Sequence, residues 1–143
     1  MLIGEYIHTI DNKKRIAIPA KLRGEFGSKG VLTRGLDNCL FLYPQKEWEG
    51  LVERLRTLPL GQESSRGFVR LMLASASEVE IDNLGRILVP EYLKDYAGLS
   101  KKIIIAGVLN RIEVWDENKW INYKSGTEKT FGDIAEKLGG LGI

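Results

Sequence analysis

The sequence predicts an α+β fold in which one β-rich unit occurs twice. The two copies share a core, with a helical insertion between them and a C-terminal helix after them. Two observations predict this. First, Asp11-Asn-Lys-Lys-Arg15-Ile-Ala-Ile-Pro19-Ala-Lys-Leu22 returns as Asp82-Asn-Leu-Gly-Arg86-Ile-Leu-Val-Pro90-Glu-Tyr-Leu93, with Asp, Arg, Pro and Leu at the same places. Self-similarity at a fixed spacing decides an architecture before other signals are weighed. Second, Trp48, Leu51, Val52, Leu55 and Leu58 between the copies recur at helical rather than strand spacing. The expected division is a first unit over 5–47, the helical insertion over 48–75, a second unit over 76–119 and a helical tail over 120–143.

The first unit reads as follows. Residues 5–10 predict a strand and 11–14 a turn, because an Asx side chain at a turn start accepts backbone N–H groups two residues on. Residues 15–18 return as a β-branched strand. Pro19 ends it and suits the first helical position, where its missing N–H costs nothing. Residues 20–26 are then a short helix, and 31–33 and 39–43 are strands around a turn at 35–38. Pro44 opens the first helix of the insertion; Pro59 and Gly61 break it. A second helix is expected over 64–76, with Ser64 or Ser65 as N-cap. Phe68, Val69, Leu71, Met72, Leu73 and Ala74 leave it little polar face, so it must be covered in the core or at a subunit interface. Neither helix shows a counterpart of similar length in the second copy.

The second unit repeats the plan: strands at 79–81 and 86–89 around the turn at 82–85, a short helix over 90–96 stopped by Gly98, and strands at 103–105 and 112–115. The likeness continues with Val31 matching Ile103, Gly35 matching Gly107, Asn38 matching Asn110 and Trp48 matching Trp120, one residue having been added in between. Asp116 caps a short helix carrying Trp120, Ile121 and Tyr123. The tail turns amphipathic through Phe131, Ile134, Ala135 and Leu138, and its last residues are expected to fray.

Composition narrows the function. With 43% apolar and 28% charged residues in 143, the chain is globular rather than disordered. A net charge of +2 excludes a polycation, but the charge is unevenly spread. Over residues 8–30, Lys13, Lys14, Arg15, Lys21, Arg23 and Lys29 stand against only Asp11 and Glu25. Over the matching residues 79–102, Arg86, Lys94, Lys101 and Lys102 are balanced by Glu80, Asp82, Glu91 and Asp95. One face of the first copy is therefore the candidate for anion contact. Arg offers phosphate or guanine a planar fork of donors, and lysines neutralise phosphates without reading sequence. Arg15 and Arg86 have a simpler role open to them as well: each pairs with its own Asp, Asp11 or Asp82, and staples its turn. The basic run has its own simpler reading as a solvated face.

No enzyme is expected. His8 and Cys39 are the only His and Cys, both on predicted strands, and Cys39 sits in an apolar run where an inert thiol is expected. There is no metal-ligand spacing, phosphate loop or serine motif, so neither cofactor nor metal is expected. The single cysteine makes no intrachain disulfide. No signal peptide or membrane-length apolar run is read, and a cytoplasmic location is the expectation.

Strand, Asp-x-x-x-Arg turn, strand, Pro, short helix and hairpin together resemble the SpoVT/AbrB swapped-hairpin domain, which implies that the two units form a shared barrel-like core. Two such units with a helical insertion resemble the MraZ family across nearly the whole chain. The resemblance implies a cytoplasmic, nucleoid-associated transcriptional repressor of the division and cell-wall gene cluster. It implies a ring-like homo-oligomer on direct repeats in double-stranded promoter DNA, with no membrane and no small-molecule substrate. It carries the family's motif onto Asp11 and Arg15 and onto Asp82 and Arg86. Lys13, Lys14, Lys21 and Arg23 join these as candidate DNA contacts. The alternative is an antitoxin-like or other assembly module without promoter specificity. One departure stands out: the family often has Gly before the Arg, which Gly85 satisfies and Lys14 does not. Gly takes positive φ without steric cost, so the first turn is expected to differ in shape or to hold Lys14 in an ordinary conformation.

Overall fold

In the computed structural model, which describes residues 1–142, the elements follow the repeat. The first unit contributes β1 (Leu2–Thr9), β2 (Arg15–Ala17), α1 (Ala20–Phe26), β3 (Lys29–Arg34), β4 (Leu40–Pro44) and α2 (Gln45–Arg56). α3 (Glu63–Ala74) leads into β5 (Ser77–Glu80), β6 (Arg86–Leu88), α4 (Glu91–Ala97), β7 (Lys102–Leu109), β8 (Ile112–Asp116) and α5 (Glu117–Glu128). The tail holds α6 (Phe131–Lys137) and a 3-10 turn at Gly139–Leu141. Ile143, at the end of the tail expected to fray, lies outside the described residues.

Neither unit forms a sheet alone. A six-stranded sheet runs β1-β7-β8-β4-β3-β5, and β2 pairs with β6 in a separate ribbon. The order reads the same from both ends once β1 is equated with β5, β7 with β3 and β8 with β4. Each unit's first strand pairs with the other unit's third strand, and every pairing is antiparallel. Within one unit only the β3–β4 or β7–β8 hairpin pairs in the sheet, and a lone hairpin is marginal in water; the exchange makes one core from two halves. That core is closed by the ribbon: Ile16, Ile18, Ile87 and Val89 meet Leu32, Leu42, Ile105 and Val114, with Leu22 and Leu93 of the two short helices. Ile16 lies opposite Ile87 at the ribbon centre, and both are buried. A second cluster lies under the helices on the sheet's other face, where Phe41, Tyr43, Leu55, Met72, Ile104 and Trp115 meet Trp48, Val69 and Trp120.

Several expectations are corrected here. Val31 is not equivalent to Ile103. Val31 lies opposite Tyr43 and Ile104 opposite Trp115, and Tyr43 and Trp115 both face the helices, so Val31 matches Ile104. Because strand side chains alternate, the one-residue slip in the sequence match would have turned β7 inside out. The helix after β4 does have a counterpart: α2 and α5 are both 12 residues long and each starts directly after its strand. α5 runs to Glu128, past the short helix expected. β1 starts at Leu2 rather than residue 5, because its pairing with β7 continues out to Leu109. Finally, α3 is not covered on several sides by its own chain, so of the two covers expected the chain's own core is the one that fails. The helix buries Met72, but Phe68, Leu71 and Leu73 stay 40%, 54% and 38% exposed.

Candidate nucleic-acid interface

The two Asp-x-x-x-Arg turns fold alike. Asp11 Oδ1 accepts from the backbone N–H groups of Lys13 and Arg15, at 2.8 and 2.9 Å. Its Oδ2 accepts from Arg15 Nε at 3.0 Å. In the second turn Asp82 Oδ1 accepts from Leu84 and Arg86 N–H, each at 2.9 Å, and Oδ2 from Arg86 Nε at 3.0 Å. One carboxylate thus closes the turn and aims the guanidinium. The backbone N–H of Arg15 and the N–H of Lys13, with the Arg15 guanidinium, hold the Asp11 carboxyl below its ordinary pKa. Arg86 and Leu84 do the same for Asp82.

The departure at Lys14 does not change the turn. Lys14 takes φ +60° and Gly85 φ +77°, so both stand in the left-handed region. The Lys14 N–H donates to the Asp11 carbonyl at 3.0 Å, and the Gly85 N–H to that of Asp82 at 2.9 Å. The two turns are also tied to each other. The Lys14 carbonyl accepts from Val89 N–H and the Gly85 carbonyl from Ile18 N–H, both at 2.8 Å.

Around the turns the units differ. Lys14 Nζ pairs with Glu91 at the start of α4. That pair lowers the Glu91 carboxyl pKa. Over the second turn lies Arg23, whose Nε donates to the Ile18 carbonyl at 2.8 Å. A Cβ on Gly85 would come within 2.3 Å of the Arg23 Cζ. Arg23 therefore reaches from the first unit onto the second unit's turn. Glu91 was missed by the sequence reading; the contrast of Glu91 with Ala20 at the repeated place was its only signal.

The ribbon brings the two arginines together. In β2–β6, Arg15 lies opposite Leu88 and Ala17 opposite Arg86, while Ile16 and Ile87 point into the core. Strand alternation puts Arg15, Ala17, Arg86 and Leu88 on the one outward face. Arg86 Nη1 also stands 3.9 Å from Asp11 Oδ2, which links the second arginine to the first turn. Among the described residues, the two Nη groups of Arg15 form no hydrogen bond and remain free to donate outward. Lys13 and Lys21 are exposed, Lys13 at the tip of the first turn and Lys21 on α1. The corresponding tip in the second turn carries Leu84, 65% exposed, while Leu88, 59% exposed, lies opposite Arg15 at the first turn's end of the ribbon. Each end of the outward face thus carries one arginine and one exposed leucine, with Lys13 added at the first turn.

The remaining candidates for chemistry are held apart. His8 Nδ1–H donates to the Ala17 carbonyl at 3.0 Å. Cys39 is fully buried in the helix-side cluster, its Sγ–H donating to the Leu36 carbonyl, and burial pushes its thiol pKa well up. A thiol kept protonated is a poor nucleophile.

Comparison with known proteins fits this geometry. A family model described as "MraZ protein, putative antitoxin-like" matches residues 1–71 and again 72–139. The chain is 50% identical over 143 residues to the transcriptional regulator MraZ of Clostridium beijerinckii, covering 100% of both chains. It is 48% identical over 143 residues to that of Caldanaerobacter subterraneus, again with 100% of both covered. To that of Carboxydothermus hydrogenoformans it is 46% identical over 138 residues, 96% of each. With a doubled family match that follows its doubled turns, the chain belongs to the MraZ family.

Proposed function

We propose that this chain is a DNA-binding transcriptional regulator that represses the division and cell-wall gene cluster. It binds direct repeats in the promoter through the Arg- and Lys-bearing turns of a ring-like homo-oligomer, in the cytoplasm and associated with the nucleoid. One observation carries the reading: the ribbon sets Arg15 and Arg86 on a single outward face, each aimed by its own aspartate. The full-length relatives are named transcriptional regulators, which supports the regulatory part of this reading.

In this reading Arg15 is the principal contact. Its Nε is engaged by Asp11, so the fork is oriented before DNA arrives and loses little freedom on binding. Lys13 and Lys21 contact phosphate and position the protein without specifying sequence. Arg86 contributes from the same face, and Asp82 and Asp11 orient it. Lys14 acts through its pair with Glu91, and Arg23 through its place over Gly85, so both shape the surface before they touch DNA. The reversed-order strand exchange supports the swapped-hairpin form of the fold, with the ribbon closing a barrel-like core. A net charge of +2 gives one subunit a weak grip. Side-by-side copies raise the effective concentration of each further contact, which suits an operator of tandem repeats.

A protection assay on the DNA just upstream of the protein's own gene tests this. Evenly spaced protected segments, lost on Arg15→Ala with folding retained, are expected. An intact oligomer that protects nothing at low salt would instead favour the assembly module, the antitoxin-like reading in the family's description.

A further inference from the structure

The C-terminal helix has no place on its own subunit. α6 buries none of its residues. Phe131, Ile134 and Leu138 form a stripe along one side and are 69%, 37% and 38% exposed. A helix of seven residues is too short to persist in water without packing. Its sequence is amphipathic, with Asp133 and Glu136 beside the stripe and Lys137 at its end.

The first unit has a pocket of matching chemistry. Between α2 and α3 lies a cavity of about 320 Å³ with an apolar lining of Leu55, Leu58, Pro59, Leu60 and Val69. Arg56, Arg66 and Arg70 stand on its rim. Arg56 is paired with Glu53 at 3.1 Å, and Arg66 donates to the Leu60 carbonyl. Arg70 is exposed and has no ion pair among the described residues. Leu60, at 81% exposure, is the most open large apolar side chain of the described residues. A second groove lies between α5 and β1, but Glu5, Glu117 and Glu128 line it against the single cation Lys124, which would repel an acidic helix.

We propose that α6 of one copy docks into the α2–α3 pocket of a second copy. Phe131, Ile134 and Leu138 go against the apolar lining, and Asp133 and Glu136 to Arg70 and Arg66. Helix and pocket are different surfaces of the chain, so the contact is head-to-tail. Such contacts repeat from copy to copy and close into a ring when the rotation allows. The inference rests on the self-association in the proposed function but not on DNA binding.

Engineered cysteines test it without DNA. Cys39 is fully buried and stays out of the chemistry. Leu60→Cys and Leu138→Cys are made in separate full-length chains, mixed, and oxidised. A disulfide-linked pair containing one of each variant is expected, and little linkage in either variant alone. A chain carrying both substitutions distinguishes the alternatives. Linkage only within single chains would show that the tail folds onto its own pocket and would overturn the proposal. No linkage in an assembly that sedimentation shows intact would place the subunit contact elsewhere and also overturn it. A wild-type chain that sediments as a monomer would overturn it together with the ring. Charge reversal gives an independent reading. Arg70→Glu and Glu136→Arg each weaken assembly by about tenfold or more, and the two in one chain restore it; failure of the restoration contradicts the contact.

Discussion

Lys14 and Gly85 occupy the same place in the two turns and share a left-handed backbone, at φ +60° and +77°. The same conformation carries different costs for the two residue types. A non-glycine residue there loses about 1–2 kcal/mol to the clash of its Cβ with the backbone.

Gly85→Ala is therefore expected to destabilise the fold by about 1–2 kcal/mol, since it adds that strain and pushes against Arg23. Lys14→Gly relieves the strain but loses the exposed pair with Glu91, so its net effect stays within about 1 kcal/mol of zero. Urea denaturation of the two variants checks both. Equal effects at the two positions would mean that the turns do not share this geometry.

Acid should loosen the turns. Asp11 and Asp82 have folded-state pKa values held below the ordinary 3.8 by the backbone N–H groups and arginines they bind. A depressed folded-state pKa gives stability that is complete above the unfolded-state value and lost as pH falls through the folded one. Stability should therefore drop between roughly pH 5 and pH 2. The drop should be shallower in Asp11→Asn and Asp82→Asn, which have no such proton to gain. Thermal melts across that range would contradict this if wild type and variants decline in parallel.

The ribbon centre is where a small deletion costs most. Ile16 and Ile87 face each other, both buried under the sheet. Ile87→Ala leaves a cavity that only one partner strand can relax into, and about 2–5 kcal/mol of stability should go with it. Calorimetry or urea unfolding reads this directly, and a loss below about 1 kcal/mol would mean the ribbon is not part of the common core.

How much of this was open to a reader of residues alone follows from how local each feature is. Asp11, Arg15, Asp82 and Arg86 are four apart in their own turns, so their pairing was legible from the repeat. Pro19 and Pro90 marked the strand-to-helix corners for the same reason. The exchange of strands between units was not visible, because β1 with β7 and β3 with β5 are pairings between distant segments. The Val31–Ile103 match failed because identity of residue type does not report which face a strand residue takes. Lys14 in a left-handed turn was missed because propensity argues against it; the surrounding hydrogen bonds to Asp11 and Val89 outweigh that preference. Arg23 over Gly85 and Lys14 with Glu91 join the two units, and no spacing in one unit announces them.

The most direct test is the salt dependence of binding to the promoter DNA, measured for wild type, Arg15→Ala and Lys13→Ala. Each phosphate contact contributes about 0.9 to the slope of log affinity against log salt. Both variants should flatten the slope by about that much per engaged subunit, and Arg15→Ala should in addition lower affinity about tenfold or more at a fixed salt. Slopes and affinities unchanged from wild type, with the oligomer intact, would show that the ribbon face does not meet DNA.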